Sequence, residues 1–180
     1  MQMRRFIVPS IALMLSACAA QPAKPPALSY AEPLPATNWL RCDIVFHNHS
    51  ANMSAPAYAQ LLNVPVADTA AKQQRGLSGR LTFGTPVMLF NWPDARRRPF
   101  WMNGTTVPLS VAFIDSNGYV TQIDAMQPNT NMFHWSDKPA QAALEAAPAV
   151  FTEYGIAVGS RLQAQQCSGP ITFGPLRPSN

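Results

Sequence analysis

Charge is scarce in this sequence: Asp, Glu, Lys and Arg together make up 12% of its 180 residues. Few charges argue against long solvated helices and against a broad polyanion-binding face. Cysteine is scarcer, with three in the chain and no Cys-x-x-Cys pair, so thiol redox chemistry lacks its usual frame. No Gly-Lys-Ser/Thr follows the glycines near Arg75, which excludes a phosphate loop. A nucleophile elbow is missing, so the Ser, His and Asp residues present do not assemble into a recognisable triad. No internal repeat is visible.

Apolar residues, by contrast, reach 47%, enough for a real core, and there are 18 prolines. Many prolines with few charges favour short strands, turns and extended tails. Arg4 and Arg5 precede an apolar stretch, Phe6 to Leu15, that is too short to span a bilayer as a helix. Residues 1–17 are therefore expected to be a signal peptide. The ending Leu15-Ser16-Ala17-Cys18 resembles the lipobox of bacterial lipoproteins, which implies lipidation of Cys18 and anchoring by several acyl chains. The lipid anchor makes the cell envelope the expected location, and Ala19, rather than Asp, follows the anchor. In a Gram-negative cell that means the outer membrane facing the periplasm. Without Arg4 and Arg5 the 13 basic residues fall to 11, against 9 acidic, and no nucleic-acid partner is expected.

With Cys18 lipidated, Cys42 and Cys167 remain, and in an oxidising compartment they are expected to form a disulfide. They bracket the presumed domain. Residues 18–38, with Pro22, Pro25, Pro26, Pro33 and Pro35, read as a semi-rigid tether. Residues 168–180 read as a loose tail, which leaves 39–167 as the folded unit.

Within that unit Arg41–His47 alternates as a strand, and Asn48–Ala57 is rich in turn residues. Leu61–Ala67 is apolar and leads to a cap at Asp68-Thr69 and a short helix from Ala70 to about Leu77. Pro86–Phe90 and Phe100–Met102 read as strands. Leu109–Ile114 and Tyr119–Ala125 read as a hairpin around Asp115-Ser116-Asn117-Gly118, because Asn and Gly tolerate positive φ. Ala140–Ala146 reads as a strand, Ala147–Tyr154 as a short helix, and Arg161–Gln166 as a closing strand. The expected fold is mainly β, a compact single-domain barrel or sandwich with one or two short helices.

Three segments, in order, carry a family resemblance. They are Val66–Thr69 running into Gln74–Arg80; Met88–Phe90 with Phe100–Thr105 and Val107–Leu109; and Phe113–Asp115 with Gly118 and Val120. Together with Gly155–Arg161 they resemble domain-of-unknown-function family 192, a group of envelope or secreted proteins, over about Leu62 to Leu162. The resemblance implies one mainly β domain and no particular activity. Family members usually read Phe-Trp-Met-Lys-Asn-Thr and then Pro-Leu-Asp; here Asn103, Gly104 and Ser110 replace the cation, amide and carboxylate. A charged ligand of that cluster would be held poorly here. The family often carries a cysteine after the hairpin, and its absence from Pro128–Trp135 favours the Cys42–Cys167 pairing.

Candidate binding residues are Arg75, Arg80, Trp101, Asn103, Thr105 and Asp115. Guanidinium groups at a helix end can clamp a carboxylate or phosphate, or can brace the turn through a neighbouring carboxylate. Trp101 can floor a pocket or simply pack, and Asn103-Gly104 also suits an ordinary turn. His47 and His49 share a strand face, but no third ligand has convincing spacing, so no metal and no cofactor are expected. Arg96-Arg97-Arg98 could meet anionic headgroups, or be a solvated loop. No catalytic residue is assigned. The leading expectation is a non-enzymatic module that binds a small molecule or an envelope protein. The alternatives are an envelope enzyme acting on cell wall or carbohydrate, and a structural accessory of an envelope complex.

Overall fold

The computed structural model describes residues 28–29, 39–48, 56–79 and 86–171. Among the described residues ten strands and two helices follow one another. They are β1 (Leu28–Ser29), β2 (Leu40–His47), β3 (Tyr58–Ala67), α1 (Ala70–Arg75), β4 (Val87–Arg96), β5 (Pro99–Phe100), β6 (Leu109–Ile114), β7 (Val120–Met126), β8 (His134–Trp135), β9 (Ala140–Ala146), α2 (Pro148–Glu153) and β10 (Arg161–Gln165). The main sheet has the order β10-β2-β3-β4-β9-β6-β7, with β1 added parallel to β3. β5 and β8 form a separate two-stranded arm. The expected mainly β domain with two short helices is thus what forms, as a sheet folded over on itself rather than a closed barrel. Near its two edge strands Tyr119 bridges to Arg161.

Central strands β4, β6 and β9 are buried on both faces, which explains their near-continuous apolar sequences. Val87 and Leu89 of β4, Ala112 and Ile114 of β6, and Ala142 and Leu144 of β9 join a first core under α2, with Ile44, Phe46, Leu61 and Val66. The alternate residues Met88, Phe90 and Trp92, Val111 and Phe113, and Ala143 face a second core closed by Phe100 and Met102. Phe100 lies edge-on to Phe90 at 4.8 Å and to Phe113 at 5.6 Å. A period of two therefore serves two cores at once.

Local chemistry sets the element ends. Thr69 caps α1 by accepting a hydrogen bond from the Lys72 N–H, and Lys72 pairs with Asp68 at 2.5 Å. The helix stops at Arg75, two residues short of the expected Leu77, because Gly76 turns the chain with φ +49°. In the β6–β7 hairpin, Asp115 Oδ1 accepts from the N–H of Asn117 and of Tyr119, both at 2.9 Å. Gly118 alone takes positive φ there, not Asn117 as well, and a register shift at Phe113/Ile114 absorbs the extra residue. A Cβ at Gly118 would lie 2.8 Å from the Leu162 carbonyl oxygen, so the turn packs against β10.

Two further differences from expectation have physical causes. Phe100–Met102 is not a full strand: β5 ends at Phe100, and the chain turns at Asn103-Gly104. β4 runs on to Arg96 because Trp92 is itself buried against Phe90 and Phe100. A disulfide joins Cys42 to Cys167 across a sequence separation of 125. Beside it, Arg41 N–H donates to Ser168 Oγ and Ser168 N–H to the Arg41 carbonyl.

Candidate functional site

A cavity of about 290 Å³ opens between the end of α1 and the β5–β8 arm. One wall is apolar and aromatic, built from Leu77, Phe90, Trp92, Pro99, Phe100, Trp101 and Phe133. The other is polar, built from Gln73, Gln74, Arg75, Ser78, Thr105 and Glu145, with Arg98 at the side. Strands β4, β5 and β9 and helix α1 supply Phe90, Trp92, Phe100, Glu145 and Gln73–Arg75, and the turns beside them supply Leu77, Ser78, Trp101, Thr105 and Phe133.

The two walls are tied to each other. Ser78 Oγ donates to the Asn103 carbonyl at 3.0 Å, and the Gly79 N–H donates to the Gly104 carbonyl at 2.8 Å. Gln73 Nε2 donates to the carbonyls of Ala67 and Asn91, which holds its amide across the β3–β4 junction. On the aromatic side the Trp101 and Phe133 rings lie parallel within 8°, centroids 5.6 Å apart, and Trp135 follows at 6.4 Å from Phe133. Trp101, Phe133 and Trp135 are about half exposed, so the aromatic wall continues outward as a rim.

Of the expected binding residues, Arg75, Trp101 and Thr105 converge on this cavity. Arg75 is exposed and has no ion-pair partner among the described residues. Thr105 is buried, and its hydroxyl makes no hydrogen bond among them. Asn103 stands just beside the cavity, its Nδ2 donating to Asn131 Oδ1 at 3.0 Å, so it acts in the turn that joins the walls. Asp115 sits elsewhere, its carboxylate spent on the β6–β7 turn. Arg80 and Cys18 lie outside the described residues.

Several cavity residues escape a reading of the sequence. Glu145 is 4% exposed, a carboxylate at the floor of the site. It does leave a signal: one acid within the small apolar strand Ala140–Ala146. Trp92 and Phe133 carry no local signal. A second unexpected pair lies on β7 and β8: His134 Nδ1 is 3.7 Å from Asp124 Oδ2, and Gln122 Nε2 holds both Asp124 oxygens at 3.0 Å. This pair does not line the cavity.

Arg96 and Arg97 of the arginine run are exposed, and all three arginines are engaged by neighbours. Arg98 Nη2 donates to the side chain and carbonyl of Asp94, and its guanidinium lies 4.6 Å from the Trp92 ring centroid. Arg96 also pairs with Asp94, and Arg97 Nε donates to the Ser136 carbonyl. The guanidinium groups of Arg96 and Arg98, Arg96 first, hold the Asp94 carboxyl below the usual carboxylate range. His47 Nε2 contacts Gln163 Oε1 at 3.2 Å, while His49 lies outside the described residues.

Among solved structures, the chain is similar to a protein of Sinorhizobium meliloti 1021 described as a "putative transcription regulator". The identity is 24% and the TM-score 0.61, covering 69% of this chain and 93% of that one. It is also similar to a protein of unknown function from Novosphingobium aromaticivorans DSM 12444, at 22% identity and a TM-score of 0.63, covering 78% and 93%. At these identities the likeness concerns the fold alone. No curated protein matches the chain. The family DUF192, described as "Uncharacterized ACR", matches residues 52–164, a span that runs from β3 into β10 and takes in both walls of the cavity. The chain therefore belongs to domain-of-unknown-function family 192.

Proposed function

We propose that this protein is a lipid-anchored, non-enzymatic binding module of the bacterial cell envelope, whose ligand occupies the cavity between α1 and the β5–β8 arm. The observation that carries the reading is the meeting around one cavity of an aromatic wall, the Thr105 hydroxyl and Arg75, which has no ion-pair partner among the described residues. A mostly apolar concavity with a few convergent polar groups is the usual form of a small-molecule site. The ties between Ser78, Gly79 and the Asn103-Gly104 turn keep it open in advance, which lowers the ordering cost of binding. Anchoring rests on the Leu15-Ser16-Ala17-Cys18 segment, where the acylated thiol would hold the module at a membrane.

A thermal-shift screen of small ring compounds tests the binding role, because a ligand that binds only the folded state raises Tm. Compounds that stabilise the wild type are expected to lose most of that effect in Trp101→Ala. Shifts that persist unchanged in this variant, or a screen with none, would overturn the role.

A further inference from the structure

Resting on the lipid anchor proposed above, we infer that the β5–β8 arm is a second membrane contact, docking its aromatic rim on an anionic lipid surface. Trp101, Met132, Phe133 and Trp135 are 44%, 59%, 53% and 47% exposed. Single apolar residues scattered over a surface are ordinary, whereas a cluster of them marks a contact. These four are clustered. The Trp101 ring stacks on Phe133, Phe133 lies 6.4 Å from Trp135, and Met132 directly precedes Phe133. Tyr58, Tyr119 and Val158, the other exposed large apolar residues among those described, stand on β3 and on the loops before β7 and β10.

Two indoles beside a phenyl ring suit the headgroup zone of a bilayer, because an indole has an apolar body and an N–H that is best kept near water. Charge agrees with this. Arg96 and Arg97 are exposed just before Pro99, which pairs with Trp135, and Lys138 is exposed three residues after Trp135. Arg97 Nε donates to the carbonyl of Ser136, the next residue after Trp135, so its guanidinium is carried on the arm. Arg97 and Lys138 have no ion-pair partner among the described residues. Of the nearby carboxylates, Asp94 is held by Arg96 and Arg98 and Asp124 by Gln122, while Asp137 is exposed. The uncommitted charge beside the rim is therefore positive on balance, which draws it to anionic headgroups. An apolar groove on a protein partner would offer these cations no counter-charge.

The chain leading in keeps the arm within reach of lipid. Ten residues separate Cys18 from β1, and at about 3.5 Å each they span at most roughly 35 Å. An acylated Cys18 thus holds the domain near the surface, where a weak contact acts at high effective concentration. Trp39, at the start of β2, packs against the second core, the one that Phe100 of the arm closes.

Tryptophan quenching tests the inference on the natural acylated protein, held in vesicles of phosphatidylethanolamine and phosphatidylglycerol with plain or brominated acyl chains. Brominated chains are expected to quench wild-type emission. The Trp101→Phe/Trp135→Phe double variant is expected to lose most of that quenching, because Trp92 is buried and Trp39 half-buried. Arg97→Gln is expected to lower the ratio of docked to undocked protein about fivefold, the effect of one cation at an anionic surface. Unchanged circular dichroism confirms that the variants fold. Four results would overturn the docking face: emission untouched by bromine and open to iodide in the water; quenching that survives in the double variant; equal docking on phosphatidylcholine vesicles; or sedimentation showing that copies pair and bury the indoles without lipid. Mass spectrometry of the same preparation reads the anchor separately. Added acyl mass with any of these results keeps the anchor and removes the docking face. An absence of acyl mass removes the anchor, and the same criteria then apply to vesicles added to the unanchored protein.

Discussion

Gly76 passes directly over Glu145 and Phe90: a Cβ built on Gly76 would lie 3.5 Å from Glu145 Oε2 and 3.2 Å from Phe90 Cζ. The backbone there has φ +49° and ψ −133°, a conformation that only glycine adopts without strain. The end of α1 thus reaches the cavity floor by a route that a side chain would block. Gly76→Ala is expected to destabilise the fold by about 1–3 kcal/mol, the usual cost of such backbone strain. Urea unfolding checks this, and an unchanged midpoint would show that the turn relaxes freely.

The disulfide ties β2 to the residues after β10, the two outermost partners at one edge of the sheet. Closing a loop of this length restricts the unfolded chain by about 4–5 kcal/mol in the chain-entropy account. Cys42→Ser is therefore expected to lower stability strongly when unfolding is measured without reductant. Two freely alkylated thiols at Cys42 and Cys167 in unfolded wild type would contradict the cross-link.

Asp94 gathers Arg96 and Arg98, and Arg98 in turn covers Trp92 at the cavity wall. Because the folded state holds the Asp94 carboxyl below its unfolded value, its contribution is complete above about pH 4 and fades as pH falls through the lowered value. Asp94→Asn is expected to lower Tm at neutral pH and to flatten the acid limb of the stability curve. A variant with the same acid limb as wild type would remove this pair from the account.

If Cys18 bears the anchor, Cys18→Ala should move the protein from the membrane fraction to the soluble one. Several acyl chains hold a protein stably where a single chain does not. Membrane fractionation unchanged by the substitution would end the proposed anchoring.

Local chemistry explains which parts of the fold are legible in the sequence. The Asp68-Thr69 cap, the Asp115–Gly118 turn and the alternation of Arg41–His47 each act over a few neighbouring residues, so sequence carries them directly. β8 is not legible. Its two residues, His134 and Trp135, become a strand only because Phe100 and Pro99 lie opposite. The parallel pairing of β3 with β4, through Val66–Leu89 and Ala67–Phe90, likewise depends on a long crossover.

The cavity is half legible for the same reason. Arg75, Trp101 and Thr105 draw notice by residue type, and folding brings them together. Asp115 draws equal notice, but its own turn consumes its carboxylate. Glu145 hides in a strand that pattern alone reads as core, and only the second core on the far face of β9 reveals its direction.

The four tryptophans give the most direct test of the cavity as a binding site, because each contributes one indole N–H signal in an NMR spectrum. Trp92 and Trp101 line the cavity, whereas Trp39 lies outside it beneath Lys72. Titration of a ring compound that stabilises the wild type in the thermal-shift screen should shift the Trp92 and Trp101 signals saturably and leave Trp39 in place. Equal movement of all four signals, or movement of none with every ring compound of the screen, would contradict a ligand in that cavity.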